Sequence, residues 1–183
     1  MSKNKLHKFF AVVLVSILSA LIAGIYGIIY EHIAYTISPE YYTKFSFLQY
    51  GLLNEEGDRV IHPRVFVTII VFLSTWWLPF ISGLIFGLFN LIQNTWQKLF
   101  KTSFIAIMIV ILITIISEVI GLIVGFLIFA KLPKSYFIWC FIPENLQNFD
   151  NYISVGSMEV FSFIGGILGL LVGIFYSYKK RNQ

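Results

Sequence analysis

Two carboxylates sit where the surrounding sequence makes a charge expensive. Glu118 lies in the apolar run 103–130, SFIAIMIVILITIISEVIGLIVGFLIFA, and Glu159 lies in the run 153–178. A carboxylate deep in hydrocarbon costs several kcal/mol unless it is protonated, paired or hydrated. At helical spacing Glu118 shares a face with Thr114, Gly121 and Gly125, and Glu159 shares one with Ser162, Gly166, Gly169 and Gly173. Faces thinned by glycine are the ones that approach other helices, so both carboxyls are expected to point inward. At a rise of about 1.5 Å per residue, Glu118 lies roughly 26 Å from Lys101 and Glu159 roughly 30 Å from Lys179, within a turn of the same depth. Two inward carboxyls that meet there would share a proton or hold a cation, with Thr114 and Ser162 as neighbouring hydroxyls. The competing reading is that each is protonated and hydrogen-bonds the next helix, with no further role.

Other chemical templates fail. The sequence has no His-Glu-x-x-His, no Gly-x-Ser-x-Gly and no phosphate-binding glycine loop, and His7, His32 and His62 all fall outside the apolar runs. No catalytic residue can be named, and the chain reads as a non-enzyme without a cofactor. Glu31, His32, Glu40 and His62 are metal-capable but lack ligand spacing, so they read as solvated residues of one outer loop, with Tyr41 among its apolar aromatics, and no metal is expected. The single cysteine, Cys140, permits neither an intramolecular disulfide nor a cysteine metal centre.

The elements that must position these groups are membrane helices. Of 183 residues, 58% are hydrophobic and only 12% charged, which no ordinary soluble domain matches. Four runs, 9–30, 65–92, 103–130 and 153–178, are long enough for a hydrocarbon core of about 30 Å. The prediction is an all-α membrane protein, a single four-helix transmembrane domain over residues 1–183. Run 9–30 follows Lys3, Lys5 and Lys8 as a signal peptide would, but it is too long for one and no small-x-small cleavage site follows, so it is expected to be retained. Its Ser16, Ala20, Gly24 and Gly27 form one thin face. Gly83, Gly87, Gly121, Gly125, Gly165, Gly169 and Gly173 are expected to serve close helix packing. Pro79 predicts a kink in the second helix, with Trp76 and Trp77 packing beside it or, alternatively, lining a pocket.

Residues 31–64 hold five acids and six aromatic residues around a polar turn at 54–58, and residues 131–152 have an apolar centre too short to span. Both read as aromatic extracytoplasmic loops lying on the bilayer or over the helices, with Trp139 at the interface. With both termini cytoplasmic, the inner segments contain Lys3, Lys5, Lys8, Lys98, Lys101, Lys179, Lys180 and Arg181, eight of the thirteen basic residues, and none of the nine acids. The positive-inside rule predicts that threading. The net charge of +4 then belongs to short clusters beside the spans, so the lipid bilayer is the expected partner and nucleic acid is not.

The stretch YEHIAYTISPEYYTKF, the His-Pro-Arg before a helix containing Thr-Trp-Trp, and VGSMEVFSFIGGILGLLVGIFY resemble an uncharacterised family of small bacterial four-helix membrane proteins. The family is marked by a Thr-Ile-Ser-Pro-Glu-Tyr-Tyr/Phe segment after helix one. The resemblance touches three of the four helices and the first loop, and implies a bacterial inner (plasma) membrane location with no established activity. Its pattern has His-Asp-Gln where this chain has Tyr30-Glu31-His32, and His-Asn where it has Glu159-Val160.

The expected role is a small transporter or channel-like protein, or a subunit of one, whose inward carboxylates bind a proton or cation. The alternative is a non-catalytic assembly protein that packs with a membrane-protein partner, or with itself as a homo-oligomer, through its glycine faces. The threading can be tested through Cys140, which it places outside. An impermeant maleimide is expected to label wild type, and not Cys140→Ser, in intact cells. Labelling only after the membrane is opened, with a denatured control showing a reactive thiol, would reject the threading.

Overall fold

The computed structural model describes residues 3–52, 62–137 and 140–182; the turn at 54–58 and Trp139 lie outside them. The protein is all-α, with four helices long and apolar enough to cross a membrane. In chain order the α-helices are α1 (Lys3–Ile37), α2 (Pro39–Tyr41), α3 (Phe47–Gln49), α4 (Pro63–Thr75), α5 (Trp77–Phe89), α6 (Trp96–Leu127) and α7 (Phe149–Lys179), with a π-helical turn, Tyr42–Ser46, between α2 and α3.

α1 and α7 outrun the apolar runs 9–30 and 153–178 at both ends, and α6 outruns 103–130 at its start while stopping at Leu127, because a helix stops at a cap and not where hydrophobicity fades. α1 continues to Ile37 and ends at Ser38, where Pro39 excludes the helical conformation from the residue before it (φ −136°, ψ 87°). Ser38 Oγ accepts the Tyr41 N–H at 3.3 Å. Glu31 and His32, expected in a loop, are therefore residues of α1. α6 starts at Trp96, not 103, because Thr95 Oγ1 caps it by accepting the Lys98 N–H. α7 starts at Phe149 behind the cap of Asn148, whose Oδ1 accepts the Asn151 N–H at 3.0 Å. The second span is broken at Trp76, between α4 and α5, because Pro79 has no N–H to give the Thr75 carbonyl.

Glycines set the packing. A Cβ added at Gly121 would lie 2.5 Å from Phe161 Cβ, at Gly125 2.5 Å from Ser154 Cα, at Gly165 2.6 Å from Ser117 Cβ and at Gly169 2.8 Å from Val110 Cα. Backbone therefore meets backbone along α6 and α7, and Ser157 Oγ crosses that seam to donate to the Gly121 carbonyl at 2.8 Å. α5 sits on α1 in the same way, with Gly83 against Ser16 and Gly87 against Val12, while Gly173 receives the Phe86 ring. The thin face of α1 differs from the expected one. Ser16, Ser19 and Gly27 are buried, whereas a Cβ at Gly24 would meet nothing within 4 Å.

Two tight hairpins result, α1 with α4–α5 and α6 with α7, and they lie side by side. One end gathers the start of α1, the turn after α5 and the end of α7: Lys8 Nζ donates to the Leu91 carbonyl and Gln93 Nε2 to the Lys180 carbonyl. Asn90, expected at the edge of an inner loop, is fully buried there, and its Nδ2 donates to Phe86 O, Ser103 Oγ and Ser177 Oγ. At the other end the first loop folds over the helices, burying Tyr42 and Phe47 against Tyr30 and Ala34 of α1, Phe66 of α4 and Val155 of α7.

Gly169→Leu is expected to lower the unfolding temperature in detergent, since forcing side-chain volume against a close-packed neighbour costs about 1–3 kcal/mol or more. Gly24→Ala, with open space around it, is expected to leave that temperature unchanged or slightly higher. Thermal unfolding followed by circular dichroism checks both.

Candidate functional site: a carboxyl-lined cavity between the hairpins

The hairpins do not close on each other along their middle. They enclose a cavity of about 580 Å³, a volume usual for small-molecule sites. α1 contributes Ser19, Tyr26, Tyr30 and Glu31, the α4–α5 break contributes Ser74, Thr75, Trp77 and Pro79, α6 contributes Thr114 and Glu118, and α7 contributes Glu159, Ser162 and Gly166. Phe86, Ile107, Ile111, Phe163, Ile167 and Leu170 make much of the remaining wall apolar.

Glu118 is buried, and both of its carboxyl oxygens are held. Ser162 Oγ donates to Oε1 at 2.8 Å and the Tyr26 hydroxyl donates to Oε2. Ser162 was expected beside Glu159 on its own helix; its hydroxyl instead crosses from α7 to α6. Thr114 lines the cavity, but its Oγ1 donates back to the Val110 carbonyl at 2.9 Å. Glu159 lies within electrostatic reach of both Glu118 and Glu31, with Tyr30 beside it. Its Oε1 and the Tyr30 hydroxyl are both buried, and the two side chains stand as each other's hydrogen-bonding neighbours.

Glu31 is the cavity residue that the loop reading missed. Its Oε2 accepts from the Tyr42 hydroxyl, which reaches down from the π-helical turn. Burial first, and then the charge of Glu31, pushes the Tyr42 hydroxyl well above the usual phenol range, which keeps it a donor. Each carboxyl thus stands against one tyrosine: Glu118 with Tyr26, Glu159 with Tyr30, Glu31 with Tyr42. A signal was present in the sequence, since Tyr26 and Tyr30 are one helical turn apart, and their ring centroids lie 6.1 Å from each other.

The remaining loop candidates tie the structure together, and the reading of Glu31, His32 and Glu40 as solvated gives way to one of bonded groups. Arg64 Nη1 donates to the His32 carbonyl at 2.9 Å, its Nη2 donates to Thr36 Oγ1, and its guanidinium lies 4.7 Å from the centre of the Tyr35 ring. The His32 ring meets Thr68 Oγ1 at 3.2 Å, and His62 caps α4. Glu40 accepts the backbone N–H groups of Gln147 at 3.0 Å and Asn148 at 2.8 Å, and pairs with Lys44, which also donates to the Asn145 carbonyl. Tyr41 packs on Tyr152, with ring centroids 5.4 Å apart. Among the described residues no three metal-capable side chains gather closely enough to hold one ion, so the cavity acids are spread along the wall rather than focused on a point.

No family model, curated protein or solved structure matches this chain.

Desolvation raises the Glu40 carboxyl, but the two backbone donors and Lys44 outweigh it and hold the group below its ordinary value of 4.5. A carboxyl lowered on folding stabilises the fold above its ordinary value, and that contribution is lost as pH falls through the folded value. The wild-type unfolding temperature is therefore expected to fall as the pH drops below 4.5, and that of Glu40→Gln to start lower and depend less on pH over the same window. Thermal unfolding across a pH series reads the difference.

Proposed function

We propose that this protein is a small multi-pass membrane transporter, or the transporting subunit of one, whose cavity carboxylates bind a proton or cation. One observation carries the reading: Glu31, Glu118 and Glu159, drawn from both hairpins, line one cavity within the four-helix unit. The break in the second span adds support. Interrupted helix at membrane depth is tolerated where it lines a cavity, and Ser74, Thr75, Trp77 and Pro79 of that break all do so. Phe86 and Asn90 toward one end of the bundle and Tyr42 and Phe47 toward the other are fully buried, which favours a carrier over an open channel. The assembly alternative loses its main support, because the seven packing glycines already meet neighbours within this chain.

On this reading the lysine-rich end faces the cytoplasm of a bacterium and the Tyr42 cap faces out. The gathering of the start of α1, the turn after α5 and the end of α7 at one end supports that orientation. The protein acts without catalytic chemistry.

Protein reconstituted in liposomes with an encapsulated pH dye is expected to move protons under an imposed gradient. Glu118→Gln is expected to fall to the rate of empty vesicles. Undiminished movement in a folded Glu118→Gln protein would remove the carboxyl cluster from the mechanism.

A further inference from the structure

The cavity has a mouth at the depth of the lipid tails. Phe163 and Ile167 of α7 line the cavity and are 65% and 63% exposed; Trp77 and Leu78 of α5 line it and are 45% and 41% exposed. All four lie near the middle of the spans Pro63–Ile92 and Phe149–Lys179, roughly 20 Å of helix from either end. In a bilayer this surface meets acyl chains. A solute dissolved in the membrane reaches this surface directly.

The lining fixes the chemistry of that solute. Among the described residues three carboxyls and no basic side chain line the cavity, which selects for positive charge. Glu159 Oε1 and the Tyr30 hydroxyl are buried there side by side, a polar patch in an otherwise largely apolar wall. Trp77, Tyr26 and Tyr30 offer aromatic faces to a cation, and Phe163 and Ile167 offer apolar surface to its body. An inorganic ion would leave most of the 580 Å³ unfilled.

We propose that the ligand is a lipophilic organic cation, which passes sideways from the bilayer between α5 and α7 and sets its charge against the wall formed by Glu118 and Glu159. This rests on the transporter reading and names the ligand class of the same site. Gly166 lies on the mouth, and a Cβ there meets nothing within 4 Å, so a larger side chain blocks the opening without disturbing the helix seams.

The test is saturable binding of radiolabelled tetraphenylphosphonium to the full chain in lipid nanodiscs. Glu118→Gln and Glu159→Gln are each expected to weaken it about tenfold or more, because a buried charge partner is lost. Gly166→Leu is expected to abolish binding while keeping the wild-type unfolding temperature. Tetramethylammonium, of equal charge but confined to water, is expected not to compete. Equal affinity in the folded Glu118→Gln and Glu159→Gln variants would make the cavity a lipid-filled groove only, and overturn the proposal. Effective competition by tetramethylammonium, or full binding in folded Gly166→Leu, would overturn lateral access. If the probe does not bind while Glu118-dependent proton movement persists, the lipophilic-cation proposal falls and the transporter reading stands; if both fail, both fall.

Discussion

The backbone-to-backbone approach of α6 and α7 is the contact on which the rest depends. Four glycines bring the two helices so close that Cβ atoms at those positions would lie within 2.5–2.8 Å of the neighbouring chain. Between transmembrane helices the hydrophobic effect offers little, because lipid is as apolar as leucine, so dispersion contacts at this range supply the cohesion. Gly83 and Gly87 do the same for α5 on α1. Two stiff hairpins are the outcome, and the looser seam between them is where polar side chains can stand away from lipid.

Those polar side chains are matched in an economical way. Among the described residues no lysine, arginine or histidine lines the cavity; tyrosine and serine hydroxyls meet the carboxyls instead. A basic partner would fill the wall with its own charge and leave nothing for an incoming cation. Phenols supply hydrogen bonds without cancelling the attraction. Glu118 is held by hydroxyls from two other helices, whereas Glu159 has Tyr30 beside it and the charges of Glu31 and Glu118 within reach, so the two acids that look alike in sequence differ in surroundings.

The four spans were legible because hydropathy reports bilayer thickness directly, and Glu118 stood out because a charge in such a run is conspicuous. The helix ends were not legible to the same degree. Hydropathy falls at Tyr30, yet α1 runs on to the cap at Ser38, and that difference moved Glu31 from a supposed loop into the cavity. Asn90 likewise looked like the edge of a connector, and its burial depends on Ser103 and Ser177 arriving from two other helices. Ser162 reaches Glu118 from α7, a pairing set by which helices meet and not by spacing along one of them. Tertiary neighbours decided each of these cases.

The two hairpins are fastened at both extremities: Asn90 bonds to α6 and α7 at one, while Asn151 Nδ2 holds the Ile37 carbonyl and Glu40 holds the start of α7 at the other. The seam is thus a buttonhole, stitched at each tip and free along its length. One edge, the second span, already carries a bend at Trp76, where the proline leaves a rung of the helix ladder unmade. The edge that borders the slit is thus the one span whose course is bent, and Pro79 is the residue that bends it.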